Sequence, residues 1–133
     1  MEKVLGIGGF FFKAKDWPAL KAWYGAHLGV TPGAETYDEL GWRAGGGVTV
    51  FEPFDEATEY FGRAQQSWMI NFRVRDLKAM VDQLRAAEIE VEVDPEEYPN
   101  GFFARLKDPE GNPIQLWQPT GKYLIADESR IPG

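Results

Sequence analysis

Trp68-Met69-Ile70-Asn71-Phe72-Arg73-Val74-Arg75-Asp76 is the stretch that sets the architecture. Residues 68–74 alternate and are rich in strand-favouring side chains, so they read as a strand. Asp76 stands where a helix N-cap belongs, because its carboxylate can accept from the free N–H groups of the first turn. Leu77, Met80, Val81, Leu84 and Ala87 follow at helical spacing and form one apolar face. A strand near 89–93 comes next, then one at 102–107, a turn at Asp108-Pro109-Glu110-Gly111-Asn112, and a closing strand at 113–118. The order is βαβββ.

The same order occurs earlier in the chain. Residues 4–14 read as a strand. Asp16 caps a helix with Pro18 in its first turn, where the missing N–H costs nothing. Trp17, Leu20, Tyr24 and Leu28 give its apolar stripe, and Gly29 stops it. Strands are expected near 35–44 and 47–52, joined through Gly45-Gly46-Gly47. Lys13-Ala14-Lys15-Asp16 overlays Arg73-Val74-Arg75-Asp76, sixty residues apart. Val48-Thr49-Val50-Phe51-Glu52-Pro53 overlays Ile114-Gln115-Leu116-Trp117-Gln118-Pro119, sixty-six apart, which fits a longer turn in the second copy. One copy leaves a sheet face bare, so two are expected to share a core. The chain therefore reads as a single α+β domain over 1–133. Module one covers about 4–53, a linker 54–67, module two about 68–119 and a C-terminal tail 120–133.

With 133 residues, 44% of them hydrophobic, the chain is long enough to bury a core, and it has no apolar run long enough to cross a bilayer. Its start, Met1-Glu2-Lys3-Val4, lacks the pattern of a secretory leader. No cysteine is present, so neither disulfide nor thiol chemistry enters, and a cytoplasmic location is expected. A net charge of −7 with scattered basic residues argues against nucleic acid as the partner. Five Trp, five Tyr and nine Phe exceed what a core this size needs, leaving aromatics to line a cavity or an interface.

Three stretches resemble the vicinal oxygen chelate superfamily. They are Gly8-Gly9-Phe10-Phe11-Phe12-Lys13-Ala14-Lys15-Asp16 with Trp23-Tyr24 and His27-Leu28-Gly29, then Asn71 to Leu77, and then the hairpin Lys107 to Trp117, the most specific of the three. That superfamily includes glyoxalase I, extradiol dioxygenases, fosfomycin-resistance enzymes and bleomycin-resistance binding proteins. The resemblance spans about residues 4–119. It implies two tandem βαβββ modules forming a cupped, eight-stranded mixed sheet with two outer helices, and a homodimer in which modules may exchange.

In metal-dependent members of that superfamily, ligands stand near the middle of each first strand and on each last strand. The matching positions here are Gly9, Met69, Thr49 and Gln115. Glycine offers no donor, thioether sulfur suits a hard divalent ion poorly, and neutral Thr and Gln oxygens bind weakly. His27, the sole histidine, belongs at the end of the first helix, outside the cup, and Glu52 is out of phase with Thr49. No metal and no cofactor are expected.

Strand alternation then assigns the cup lining. Phe11, Thr49, Phe51, Met69, Asn71, Phe103, Arg105, Gln115 and Trp117 are the expected ligand-binding residues, with Ile7 and Arg73 on the same side. Phe10, Phe12, Ala14, Phe102, Ala104 and Leu106 face the helices. Catalytic residues are unassigned, since no acid–base pair falls on the cup. Tyr60 and Phe61 are adjacent aromatics in a polar linker, placed to cover the mouth or meet a second subunit. The acidic loop 95–101 could act as a lid, and Tyr123, Leu124 and Ile125 could add an edge contact. The expectation is a metal-independent protein that binds a small aromatic or cationic molecule. A glyoxalase- or dioxygenase-like enzyme and a dimeric interaction module with a vestigial pocket are the alternatives.

Overall fold

The computed structural model describes residues 1–30 and 41–124. Helix α1 is Trp17–Leu28, strand β1 Ile70–Arg73, helix α2 Leu77–Ala86, β2 Glu92–Val93, β3 Gly101–Lys107 and β4 Pro113–Pro119, followed by a 3-10 turn at Gly121–Tyr123. The fold is α+β: one mixed sheet in the order β1-β4-β3-β2, with two helices. β1 runs parallel to β4, while the β4–β3 and β3–β2 pairs are antiparallel. The expected βαβββ order of residues 68–119 is thus present. Its third element is shorter than the sequence suggests, two residues in place of 89–93.

Both helices begin as their sequences specify. Asp16 Oδ1 accepts from Ala19 N at 3.2 Å and Asp76 Oδ1 from Ala79 N at 3.0 Å. Gly29 ends α1 with φ 72°, a left-handed cap whose N–H returns to the Tyr24 carbonyl. Gln118 Oε1 takes the N–H of Leu77 at 2.8 Å, which ties the start of α2 to β4. Gly101 opens β3 at φ 139°, and a Cβ there would stand 2.1 Å from the Gln118 carbonyl oxygen, so no larger residue fits.

The core lies between the helices and one face of the sheet. Leu20 and Tyr24 of α1 and Leu77, Val81 and Leu84 of α2 are buried with Ala104, Leu106, Ile114 and Leu116. Ala104, Ile114 and Leu116 have no exposed surface. Alternation along β3 and β4 therefore sends its apolar set to the helices, as the pattern requires.

The first half differs from the expectation. Among the described residues, 4–14 and 47–52 belong to no ladder, and the sheet formed there has four strands. Most of the strand expected near 35–44 falls on 31–40, outside the described residues, and 41–44 forms no ladder. Alternation of side chains does not by itself make a ladder, because a strand's N–H and C=O groups need a neighbouring strand, and among the described residues the outer side of β1 stays an unpaired edge. Alternation persists there without pairing. The Phe12 ring lies 4.9 Å from Trp68 and 6.5 Å from Tyr24, and Phe10 lies 5.1 Å from Trp68, while Phe11 between them is 93% exposed.

Candidate functional site

The face of the sheet opposite the helices carries the candidate site. One row of directly opposed residues crosses all four strands: Asn71 on β1, Gln115 on β4, Arg105 on β3 and Glu92 on β2. The next row holds Arg73, Trp117 and Phe103. Strand pairing alone thus gathers five of the expected lining residues, Asn71, Phe103, Arg105, Gln115 and Trp117, on one surface. Met69 lies just ahead of β1 and is partly buried.

The first row is joined by hydrogen bonds. Asn71 Nδ2 donates to Gln115 Oε1 at 2.7 Å, and Gln115 Nε2 donates to the Tyr60 hydroxyl at 2.9 Å. Arg105 donates to the Tyr60 carbonyl, and its guanidinium sits 4.1 Å from the centre of the Tyr60 ring, a cation–π contact. Tyr60 comes from the linker, where its ring stacks on Phe54 at 6.1 Å. Tyr60, one of the two adjacent aromatics of the linker, thus lies against this row.

The second row is aromatic. Phe103 and Trp117 lie nearly parallel, 2° apart, with centroids separated by 6.2 Å. Trp117 is only 3% exposed, and its indole N–H donates to the Asn100 carbonyl at 2.7 Å. Tyr123 meets its edge and Tyr98 meets that of Phe103. Tyr98 donates its hydroxyl to Asp94 Oδ2 at 2.8 Å, and that bond holds its phenol above the usual range. Arg73 donates to the carbonyls of Gly46 at 2.6 Å and Gly45 at 2.8 Å, which brings the triple-glycine turn against β1.

A cavity of about 330 Å³ opens beside this surface, bounded by Tyr60, Arg105, Phe103, Glu92 and Asp94. It lies at the β2–β3 margin. Gly9, Thr49, Met69 and Gln115, the expected centre, do not line this cavity, and Gln115 there bonds the Tyr60 hydroxyl. Phe11, Thr49 and Phe51 do not join the surface. All three are exposed in segments without a ladder. The space expected at Gly9 is taken locally, since a Cβ on Gly9 would stand 2.9 Å from Cζ of Phe11.

A second cluster escaped the sequence reading. Tyr24 donates its hydroxyl to Asp108 Oδ2 at 2.8 Å, and Asp108 also accepts from Asn112 Nδ2 and from the backbone N–H groups of Glu110 and Asn112. Burial, reinforced by Asp108, pushes the Tyr24 phenol far up. Glu110 in turn accepts from the backbone N–H of Lys15 at 2.8 Å and Asp16 at 2.9 Å, which draws its carboxyl below the usual range. The Asp-Pro-Glu-Gly-Asn turn thus clamps the start and middle of α1. The signal was present in that turn and in Tyr24, but nothing in linear spacing connects residues 84 apart.

Both amide atoms of Gln115 are engaged, and no group of three or more His, Cys, Asp or Glu side chains is gathered among the described residues. His27 sits in the last turn of α1 with its ring 5.4 Å from Trp23, away from the strand face. No helix among the described residues is long and apolar enough to cross a membrane.

Residues 7–116 match the family model described as the Glyoxalase/Bleomycin resistance protein/Dioxygenase superfamily. No curated protein matches the chain. Among solved structures, the chain is similar to TnmS3, an antibiotic binding protein from Streptomyces sp. CB03234, at 32% identity over 41% of this chain and 46% of that one, with a TM-score of 0.37. The chain thus spans just under half the length of that relative. A putative glyoxalase family protein from Bacillus anthracis is 18% identical over 77% of this chain and 84% of that one, with a TM-score of 0.48.

Proposed function

The chain belongs to the glyoxalase/bleomycin resistance protein/dioxygenase superfamily, and from its own residues we propose that it is a metal-independent protein that binds a small molecule, aromatic rather than cationic. The observation that carries this reading is the polar row Asn71–Gln115–Arg105, set beside the stacked Phe103–Trp117 pair and next to a cavity. A mostly apolar surface with a few converging polar groups is what small-molecule sites are made of. Of the two ligand classes that the aromatic content and the net acidity suggest, the face favours the aromatic one. Its central charge is the Arg105 guanidinium, while the carboxylates of Glu92 and Asp94 stand at its margin. Gly9, Thr49, Met69 and Gln115, at the positions where metal-dependent members place ligands, support a site that works without a metal.

Module one completes the reading. By its repeat, Phe10–Lys13 would pair in parallel with Val48–Phe51, as Ile70–Arg73 pairs with Ile114–Trp117. That pairing would bring Phe11, Thr49 and Phe51 to the cup and extend the sheet toward eight strands. Val4, Leu5, Ile7, Phe11, Val50 and Phe51 are each more than 60% exposed, an apolar surface that supports both this pairing and a homodimer.

Thermal-shift screening against neutral, anionic and cationic aromatic compounds tests the ligand class, with stabilisation by the first two expected. Metal analysis of the purified protein tests the rest. Stoichiometric zinc, nickel, manganese or iron would overturn metal independence and return the glyoxalase- or dioxygenase-like reading.

A further inference from the structure

We infer that the sheet face opposite the helices is a seat for an electron-rich planar ring with an oxygen acceptor on its edge, a phenol in the simplest case, and that Tyr60 of the chain's own linker fills that seat until a ligand displaces it. The inference rests on the small-molecule reading above and sharpens it. Two contacts define the seat, and a cavity extends it. The Arg105 guanidinium meets the face of the Tyr60 ring at 4.1 Å. Gln115 Nε2 donates to the phenol oxygen at 2.9 Å, and Gln115 is itself oriented by Asn71 at 2.7 Å. Next to that ring the cavity of about 330 Å³ continues along Phe103, so a ligand larger than one phenol has room to extend.

Each contact selects a ligand property. A guanidinium over a ring favours electron-rich faces and opposes a cationic ring. An amide N–H aimed at the ring edge wants an acceptor, which a hydroxyl or carbonyl oxygen supplies. The linker around Tyr60 is held by local bonds, with Ala57 N donating to Asp55, Tyr60 N to Thr58 and Arg63 side-chain nitrogens to Gln66, and by longer ones, with Arg63 reaching the Glu110 carbonyl and Asn112 Oδ1 and Arg105 reaching the Tyr60 carbonyl. No residue of 54–67 takes part in the core beneath, so the Tyr60 ring can turn off the face without disturbing it.

A self-occupied seat weakens the apparent affinity by the fraction of molecules in which it is free. If Tyr60 is in place about nine-tenths of the time, the penalty is about tenfold. The test is calorimetric titration with 2-naphthol and, as a comparator with the same rings, protonated 1-naphthylmethylamine. Tyr60→Ala should bind 2-naphthol about tenfold more tightly than the parent protein, and Tyr60→Phe, which loses the Gln115 bond but keeps the ring, should fall between. Adding Arg105→Ala to Tyr60→Ala should remove the gain. Equal affinity in the parent, Tyr60→Ala and Tyr60→Phe proteins would overturn self-occupancy and leave the binding reading standing. Tighter binding of the ammonium compound would overturn the ligand class. Absence of binding in the parent and in both variants, each folded by circular dichroism, would overturn the inference and the binding reading together. Should Tyr60→Ala fail to fold, Tyr60→Phe alone decides, because it removes one hydrogen bond and no volume.

Discussion

The two halves of this chain carry one pattern and reach different ends. Residues 68–119 form every ladder among the described residues, whereas the first half contributes one helix and two expected strands that pair with nothing. Yet α1 is as well formed as α2, with the same aspartate cap. The difference follows from where each element finds its hydrogen bonds. A helix satisfies its backbone internally, so Asp16, Pro18 and the apolar stripe suffice for α1. A strand depends on a partner at a distance in sequence, and a correct alternation of side chains does not supply one. The second half has its partner built in, because the Asp108–Asn112 turn returns β4 alongside β3.

The contrast is broken most decisively by core truncation in each half. Leu116→Ala removes a side chain with no exposed surface and is expected to cost about 2–5 kcal/mol in denaturant unfolding. Phe51 is the module-one mate of Trp117. If module one closes as proposed, Phe51→Ala should cost about 3–5 kcal/mol. A change within about 0.5 kcal/mol would instead identify the open arrangement as the stable one and end the case for eight strands.

The tie between the halves is the next largest effect. Tyr24→Phe deletes the hydroxyl that α1 donates to Asp108 and leaves the volume unchanged. Asp108 keeps its bonds from Asn112 and from two backbone N–H groups, so the expected loss is about 1–3 kcal/mol and not an unfolded protein. Hydrogen exchange should quicken in α1 more than in β3 and β4. Equal quickening everywhere would mean that α1 unfolds only with the whole molecule, and the halves would then be one unit.

What the sequence made legible follows the same division. The βαβββ order of 68–119, both helix caps and the face to which Asn71, Phe103, Arg105, Gln115 and Trp117 point could be read from periodicity, because alternation is a local property. The placement of Phe11, Thr49 and Phe51 could not, since it depends on pairing that periodicity does not encode. Tyr60 was visible as an aromatic in a polar linker, but its seat on Arg105 and Gln115 is a contact across 45 and 55 residues. The Tyr24–Asp108 bond was invisible for the same reason. Long-range polar contacts are fixed by the finished fold and leave little trace in residue order.

A smaller effect belongs to the second half alone. Glu88 follows α2 with φ 63°, the left-handed conformation that favours glycine, while the N–H groups of Glu88 and Ile89 return to Arg85 and Leu84. Glu88→Gly should raise stability by about 0.5–1 kcal/mol, measured as a shift in the denaturant midpoint at unchanged slope. A loss would mean that the Glu88 side chain contributes more than its backbone strain costs.

The smallest effect is a pH dependence at the junction of the two halves. Glu110 holds the backbone N–H groups of Lys15 and Asp16, and these bonds favour its charged form, so its carboxyl titrates below the usual range when folded. The sign follows from proton counting. Below the ordinary carboxylate range the unfolded chain binds this proton while the folded chain still resists it, so stability is full above that range and drains as pH falls through the lowered folded value. Glu110→Gln should lower the stability of the α1 attachment near neutral pH and flatten this part of the acid profile. Because Glu110 faces solvent, screening keeps the effect small and sensitive to added salt. Parallel acid profiles for the parent and variant proteins would show that the Glu110 bonds add nothing measurable to the attachment of α1 beside the Tyr24–Asp108 bond.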